Sequence, residues 1–286
     1  MPQEKFISYQ TSTSAPTNWG VVAGDGIVSG SHLCGQKYDD LKSVIAADML
    51  GVAARQAAAR TPDLSLKDVI FLPPVPTPSH FFCAGLNYAA HARETGNAAP
   101  AAPRFFSRAN SSLIGHNTPI IRPKVSTELD YEGELVLIIG KPGRHIKPKD
   151  ALTHIAGYTC FMDGSLRDWQ KHSITAGKNF HATGALGPWM VPATVLTDPT
   201  SLTLITRVNG VEVQRATTDL LIHTIPAILA YLSSITPLLP GDCIATGTPE
   251  GIGCRRDPPL WLKAGDDVEV EISQIGILAN PVANET

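Results

Sequence analysis

Two glutamates, Glu132 and Glu134, stand two positions apart at the head of the apolar run Leu129-Asp-Tyr-Glu-Gly-Glu-Leu-Val-Leu-Ile-Ile-Gly140. On an extended chain that spacing sends both side chains to one face. Adjacent carboxylates at the edge of a buried strand repel, so at least one takes up a proton unless a cation lies between them. A hard divalent ion such as Mg²⁺ resolves the conflict through carboxylate oxygens. The alternative is a strand end at which both glutamates face water. Asp163 closes a second strand-like run, Ile155–Met162, and is a candidate third ligand. It is equally placed to cap a helix entering at Ser165-Leu166-Arg167. His91 and Glu94 are three apart in Asn87-Tyr-Ala-Ala-His-Ala-Arg-Glu94, hence neighbours on a short helix. A carboxylate beside an imidazole orients the ring and raises its basicity, which builds a general base, although a surface pair has the same spacing. The Gly/Ala/Pro stretch from Gly96 to Pro103 suggests a mobile flap over such a base.

The elements that must hold these groups are mostly strands. Residues 1–75 read as a small N-terminal α+β domain. It has a hairpin through Ala23-Gly24-Asp25 and a helix over about Asp40–Arg60, with Leu41, Ile45, Met49 and Val52 at helical spacing. Phe71-Leu-Pro-Pro-Val-Pro-Thr-Pro78 reads as a linker, since four prolines suit neither a helix nor a central strand. Residues 76–286 form the catalytic, metal-binding domain. Its strand signals are Glu134–Gly140, Leu202–Val208 with Asn209-Gly210 turning into Val211-Glu-Val213, Asp242–Thr246 and Val268–Ile272. One helix is expected from a cap at Thr218 or Asp219, with Leu221, Ile225, Ile228, Leu229 and Leu232 as its stripe and Pro226 bending it. Regular βα alternation is absent, which excludes a TIM barrel or doubly wound sheet in favour of a mixed α+β, mainly β fold.

Bulk properties remove other classes of function. A chain of 286 residues with 43% hydrophobic and 17% charged residues is an ordinary globular chain. A net charge of −3 gives no footprint for nucleic acid. No apolar stretch is long enough to span a bilayer, and the N-terminal residues carry no leader pattern, so a cytoplasmic location is expected with no membrane partner. The five cysteines are scattered without CxxC or zinc spacing and read as reduced thiols. No dinucleotide fingerprint, P-loop or GxSxG elbow occurs. A glycosidase pair is disfavoured because Glu132 and Glu134 share a face.

Taken together, six ordered segments resemble the fumarylacetoacetate hydrolase superfamily, particularly its acylpyruvase and fumarylpyruvate hydrolase-like members. They are AGLNYAAHARETG (84–96), LDYEGELVLIIGK (129–141), GYTCFMDGSLRDWQ (157–170), TAGKNFHATGALGPWMV (175–191), LPGDCIATGTPEGIG (239–253) and GDDVEVEISQIGILANPV (265–282). The resemblance implies a β-sandwich roll of that family's C-terminal type, in a homodimer, with one Mg²⁺ or Mn²⁺ per chain on Glu132, Glu134 and Asp163. It implies that His91 and Glu94 are the catalytic pair on the lid, and that Lys178 and Gln170 lie near the substrate oxygens. Thr248 and Arg108 are implied substrate contacts, and Tyr88 in the first segment is a further candidate. Two departures, Arg108-Ala109 in place of Lys-Pro and His181 in place of Asp, bear on which substrate is used. The implied reaction is hydrolysis of a C–C bond in a small β-dicarbonyl or 2-oxo acid through an enolate, in aromatic or sugar-acid catabolism. A decarboxylase, isomerase or hydratase could use the same site, and a non-catalytic 2-oxo acid binding protein is the reading from another class.

Overall fold

The computed structural model describes residues 4–286. Its framework is a 12-stranded sheet whose main path runs through Leu64–Ser65, Gly26–Ser29, Asn18–Ala23, Phe6–Gln10, Gly184–Pro192, Ile155–Asp163, Gly133–Ile139, Cys243–Ala245, Phe81–Gly85 and Arg104–Ser107. A five-stranded sheet orders Val211–Thr217, Thr203–Val208, Asp267–Ile272, Gly276–Asn284 and Ile120–Arg122. This is the mixed, mainly β fold expected, and the described sheets do not close into a barrel.

The strand Gly133–Ile139 lies at the centre. All seven of its residues are buried: Ile155–Asp163 and Cys243–Ala245 flank its two edges, while Leu135, Leu137 and Ile139 enter one core and Val136 and Ile138 the other. Leu135 and Leu137 share a core with Leu204 and Val270 of the five-stranded sheet. Gly133, between the two glutamates, faces Leu204, Thr206 and Val270 of the five-stranded sheet at close range. A Cβ there would lie 2.1 Å from Thr206 Oγ1, so sheet packing favours glycine between the two glutamates.

The N-terminal residues have a small cluster of their own, Ile7, Tyr9, Ile27 and Phe71, and share a larger one with the rest of the chain. Phe6–Gln10 pairs with Gly184–Pro192 at Phe6↔Met190. Phe6, Trp19 and Leu41 pack in one cluster with Val136, Phe161 and Cys243. Three local expectations are corrected. The Asp40–Arg60 helix is two helices, Leu41–Ala46 and Leu50–Ala58, broken where Asp48 takes a positive φ of 55°. The proline-rich stretch begins as a strand, Ile70–Leu72, paired with Phe6–Gln10, and its Val75 is fully buried. The later helix is Ile225–Ile235, capped by Thr224, with Pro226 in its first turn and not at a bend. Proline is at home there because that turn's N–H groups have no intrahelical acceptor. The Asn209-Gly210 turn is as expected, with both residues at positive φ. Four of the cysteines are buried and all five are free.

Candidate active site

Glu132, Glu134 and Asp163 converge. One oxygen from each lies within 4.8 Å of the others, and all three residues are buried. The reason is register. Glu134 sits opposite Phe161, and the same antiparallel pairing carries the strand through to Asp163, whose N–H donates to the Glu132 carbonyl at 2.8 Å. Asp163 therefore ends a strand and caps no helix: the following short helix, Arg167–Gln170, begins after Leu166.

Three cations hold this cluster. Lys178 Nζ donates to Glu132 Oε2 at 2.5 Å and to Asp163 Oδ2 at 2.6 Å. Arg167 Nη2 donates to Glu132 Oε1 at 2.6 Å, and its Nε to Asp130 Oδ2 at 2.8 Å. Arg108 donates to Asp163 Oδ1 and, at 3.1 Å, to the Gly164 carbonyl. Burial opposes ionisation of Glu132, but Lys178 and Arg167 overcome it and hold that carboxyl below its usual range. Glu134 is the opposite case. Burial, then the charges of Asp163 and Glu132, push its pKa well up, and only Lys178 and the Gly247 N–H, at 2.9 Å, act against them. Lys178 is raised although burial opposes its charge, because Asp163 and Glu132 flank it.

This donor set fits a hard divalent cation. It is all oxygen, and it lacks one positive charge for Glu134 to ionise. Two oxygens bound to one ion at about 2.1 Å can lie at most roughly 4.2 Å apart, a separation on the same scale as the 4.8 Å within which these oxygens gather.

His91 is held opposite. Its helix, Ala89–Glu94, puts His91 Nδ1 2.8 Å from Glu94 Oε1, and Glu94 Oε2 in turn accepts from the Gly251 N–H at 3.0 Å. The second imidazole nitrogen is left for the cavity. That cavity, of about 240 Å³, is lined by His91, Glu132, Glu134, Gln170, Lys178 and Thr248 among others. Gln170 Oε1 accepts from Arg167 Nη1 at 2.9 Å, and Thr248 Oγ1 accepts from Gln214 Nε2 at 2.9 Å.

Two of the expected substrate contacts stand elsewhere. Arg108 is buried against Asp163, Ser112 and Thr183 and does not line the cavity. Tyr88 is also absent from the lining. It is 1% exposed, its hydroxyl has no hydrogen-bond partner among the described residues, and burial and then the Glu134 charge raise its phenol. The stretch 96–103 contributes Asn97 to the lining, while its Pro100 carbonyl lies 3.1 Å from His223 Nε2.

The sequence reading passed over Asp130, Arg167 and Arg104. Asp130 accepts from Arg167 and from the N–H groups of Gly253 and Cys254, at 2.7 and 3.1 Å, joining the cluster to the loop after Thr248. Its signal was its place two residues before Glu132. Arg167 had one too, four residues after Asp163 in the same segment.

A family model described as fumarylacetoacetate (FAA) hydrolase C-terminal matches residues 80–283. Human mitochondrial oxaloacetate tautomerase FAHD2A is 40% identical over 237 residues, spanning 82% of this chain and 76% of its own. The crystal structure of maleylpyruvate hydrolase from Sphingobium sp. SYK-6, with manganese(II) and pyruvate, superposes with a TM-score of 0.82 at 28% identity over 99% of this chain and 100% of that one. The 5-carboxymethyl-2-hydroxymuconate delta-isomerase from Mycobacterium smegmatis does so with a TM-score of 0.76 at 32% identity over 99% of both chains. With its carboxylate cluster, its His–Glu pair and the family match over most of its length, the chain belongs to the fumarylacetoacetate hydrolase family.

Proposed function

We propose that this protein is an enzyme that moves a proton at the carbon beside the keto group of a small 2-oxo acid, with keto–enol tautomerisation of oxaloacetate as its first candidate reaction. The observation that carries the reading is that His91, oriented by Glu94, shares one small cavity with Lys178 and the carboxylate cluster. The 40% identity to an oxaloacetate tautomerase supports this choice of reaction.

A Mg²⁺ or Mn²⁺ ion on Glu132, Glu134 and Asp163 supplies, when bound, Lewis-acid stabilisation of the negative charge that develops on the substrate oxygens. In the keto-to-enol direction His91 takes the proton from the substrate carbon through its free nitrogen while the enolate oxygen gains a proton from solvent. In reverse the enol oxygen loses its proton as His91 returns one to the carbon. Glu94 holds the ring's tautomer through Nδ1. Lys178 and Gln170 orient the carboxylate and enolate oxygens, each well-placed donor contributing roughly 3–4 kcal/mol. The walls formed by Phe105 and Phe106 keep bulk water from the reacting carbon.

Hydrolysis of an acylpyruvate C–C bond is the second reading, favoured by the same His91–Glu94 pair. There His91 would deprotonate a water that attacks the distal carbonyl. The C–C bond then breaks to a carboxylic acid and the enolate of pyruvate, which is protonated. The expected homodimer, the cytoplasmic location and a place in aromatic or sugar-acid catabolism belong to this proposal and rest on the family resemblance.

The test is to follow the enol absorbance of oxaloacetate and the loss of acetylpyruvate with protein, Mg²⁺ or Mn²⁺, and product identification. Faster enol decay without pyruvate or CO₂ supports tautomerisation. Acetate and pyruvate from acetylpyruvate support hydrolysis, and CO₂ from oxaloacetate would replace both with decarboxylation. Binding of 2-oxo acids without any turnover would overturn the enzyme reading in favour of a binding protein.

A further inference from the structure

We propose that Arg104 selects the substrate by binding the distal carboxylate of a 2-oxo dicarboxylic acid, so that this site discriminates diacids from 2-oxo monoacids of the same length. This rests on the reading of the cavity as a 2-oxo acid site and names the residue that would set its substrate class.

The argument begins with the charges around the cavity. Four lining side chains can be cationic: His91, Arg104, Arg167 and Lys178. His91 is committed to Glu94, Arg167 to Asp130 and Glu132, and Lys178 to Glu132 and Asp163. Arg104 alone among them makes no ion pair or side-chain hydrogen bond with the described residues. A guanidinium left open at the wall of a cavity is a ready partner for a carboxylate, which it can grip through two parallel N–H donors.

Its position suits the far end of the substrate. Arg104 begins the edge strand Arg104–Ser107, held in register by Gly85↔Arg104 and Ala84↔Phe105. Alternation puts Arg104 and Phe106 on the same side of that strand. The Phe106 ring lies 5.3 Å from Lys178 Nζ, next to the carboxylate cluster. Arg104 is two residues further out, displaced by roughly 7 Å at about 3.4 Å per residue. It is exposed whereas Lys178 is buried, so the strand leads from the cluster to the cavity mouth with a cation at its outer end. A short diacid with its 2-oxo acid end at the cluster would direct its second carboxylate towards that mouth. A monoacid would offer Arg104 only a methyl group.

The experiment compares the wild type with Arg104→Gln and Arg104→Lys, each loaded with Mn²⁺. Turnover is read as the ratio of kcat/KM for maleylpyruvate over acetylpyruvate, with oxaloacetate tautomerisation measured alongside. Binding is read by calorimetry with 2-oxoglutarate and 2-oxopentanoate, which answers even if neither is turned over. The expected result is a fall of at least tenfold in the diacid-to-monoacid ratio in Arg104→Gln, carried mainly by KM. Arg104→Lys should recover part of it because it keeps the charge without the fork. The same ratio in the wild type and Arg104→Gln, in turnover or in binding, would overturn the proposal while leaving the catalytic reading intact. A wild type inert towards every substrate would overturn the catalytic reading, and calorimetry would still decide the role of Arg104.

Discussion

The ammonium of Lys178 lies 2.5 Å from the carboxylate of Glu132, and both groups are buried. This contact sets the charge state of the whole site. Lys178 compensates Glu132 and, at 2.6 Å, Asp163, with Arg167 and Arg108 completing the neutralisation. Glu134 has no cation of its own, and that vacant role is what a divalent ion would fill.

Lys178→Met should leave two buried carboxylates short of a partner. Breaking a buried ion pair on one side costs about 3–5 kcal/mol, so chemical denaturation of the metal-free protein should show a loss of that order. Added Mn²⁺ should restore part of it, because an ion that binds only the folded chain stabilises it. An unchanged denaturation midpoint would mean that Lys178 does not neutralise the cluster.

Glu134→Gln keeps the shape of the side chain and its acceptor for the Gly247 N–H but loses the anionic ligand. Mn²⁺ affinity should fall by at least tenfold and turnover should disappear, with thermal stability of the metal-free protein retained or raised. Calorimetric Mn²⁺ titration and a melting curve check this. Full wild-type turnover in excess chelator would remove the metal from the account altogether.

His91→Ala should bind Mn²⁺ as the wild type does and lose about 10²-fold or more in rate, the usual scale for a lost general base. Glu94→Gln should cost less, since it leaves the imidazole in place but disturbs its tautomer and its tie to Gly251. Equal rates for His91→Ala and the wild type would exclude His91 from the chemistry.

His116 provides a pH-dependent test away from the site. Burial lowers its pKa from 6.5 to about 4, and its Nδ1 accepts from the Ala279 N–H at 3.0 Å. A histidine whose folded pKa lies below the unfolded value resists protonation only when folded. Its contribution is thus fully present above pH 6.5 and is lost as the pH falls towards 4. His116→Asn keeps an acceptor in place of Nδ1 and removes the titration. Its Tm should decline less steeply than that of the wild type between pH 6.5 and 4.5, and parallel declines would contradict the assignment.

Much of the site is legible in the sequence. Glu132 and Glu134 share a face because strand periodicity is a local property, and His91 and Glu94 meet because helix periodicity is too. The Asn209-Gly210 turn and the buried run after Glu134 follow for the same reason. Local rules failed at breaks in otherwise good patterns. The stripe from Leu41 to Val52 looks like one helix, yet the chain turns at Asp48 so that both pieces pack on the sheet. Pro226 suits a helix bend or a helix start equally well, and the Thr224 cap decides for the start.

The sequence by itself determined which side chains could carry chemistry, because residue type and short spacing fix what each segment can present. Only the tertiary structure decided which of them meet. Asp163 became a partner of Glu132 and Glu134 through antiparallel register across the sheet. Arg108 went to hold Asp163 instead of lining the cavity, and Arg104 was left unpaired at its edge. Those outcomes depend on contacts between residues tens of positions apart, and such pairings are set by which strands become neighbours and in what register, which no local spacing encodes.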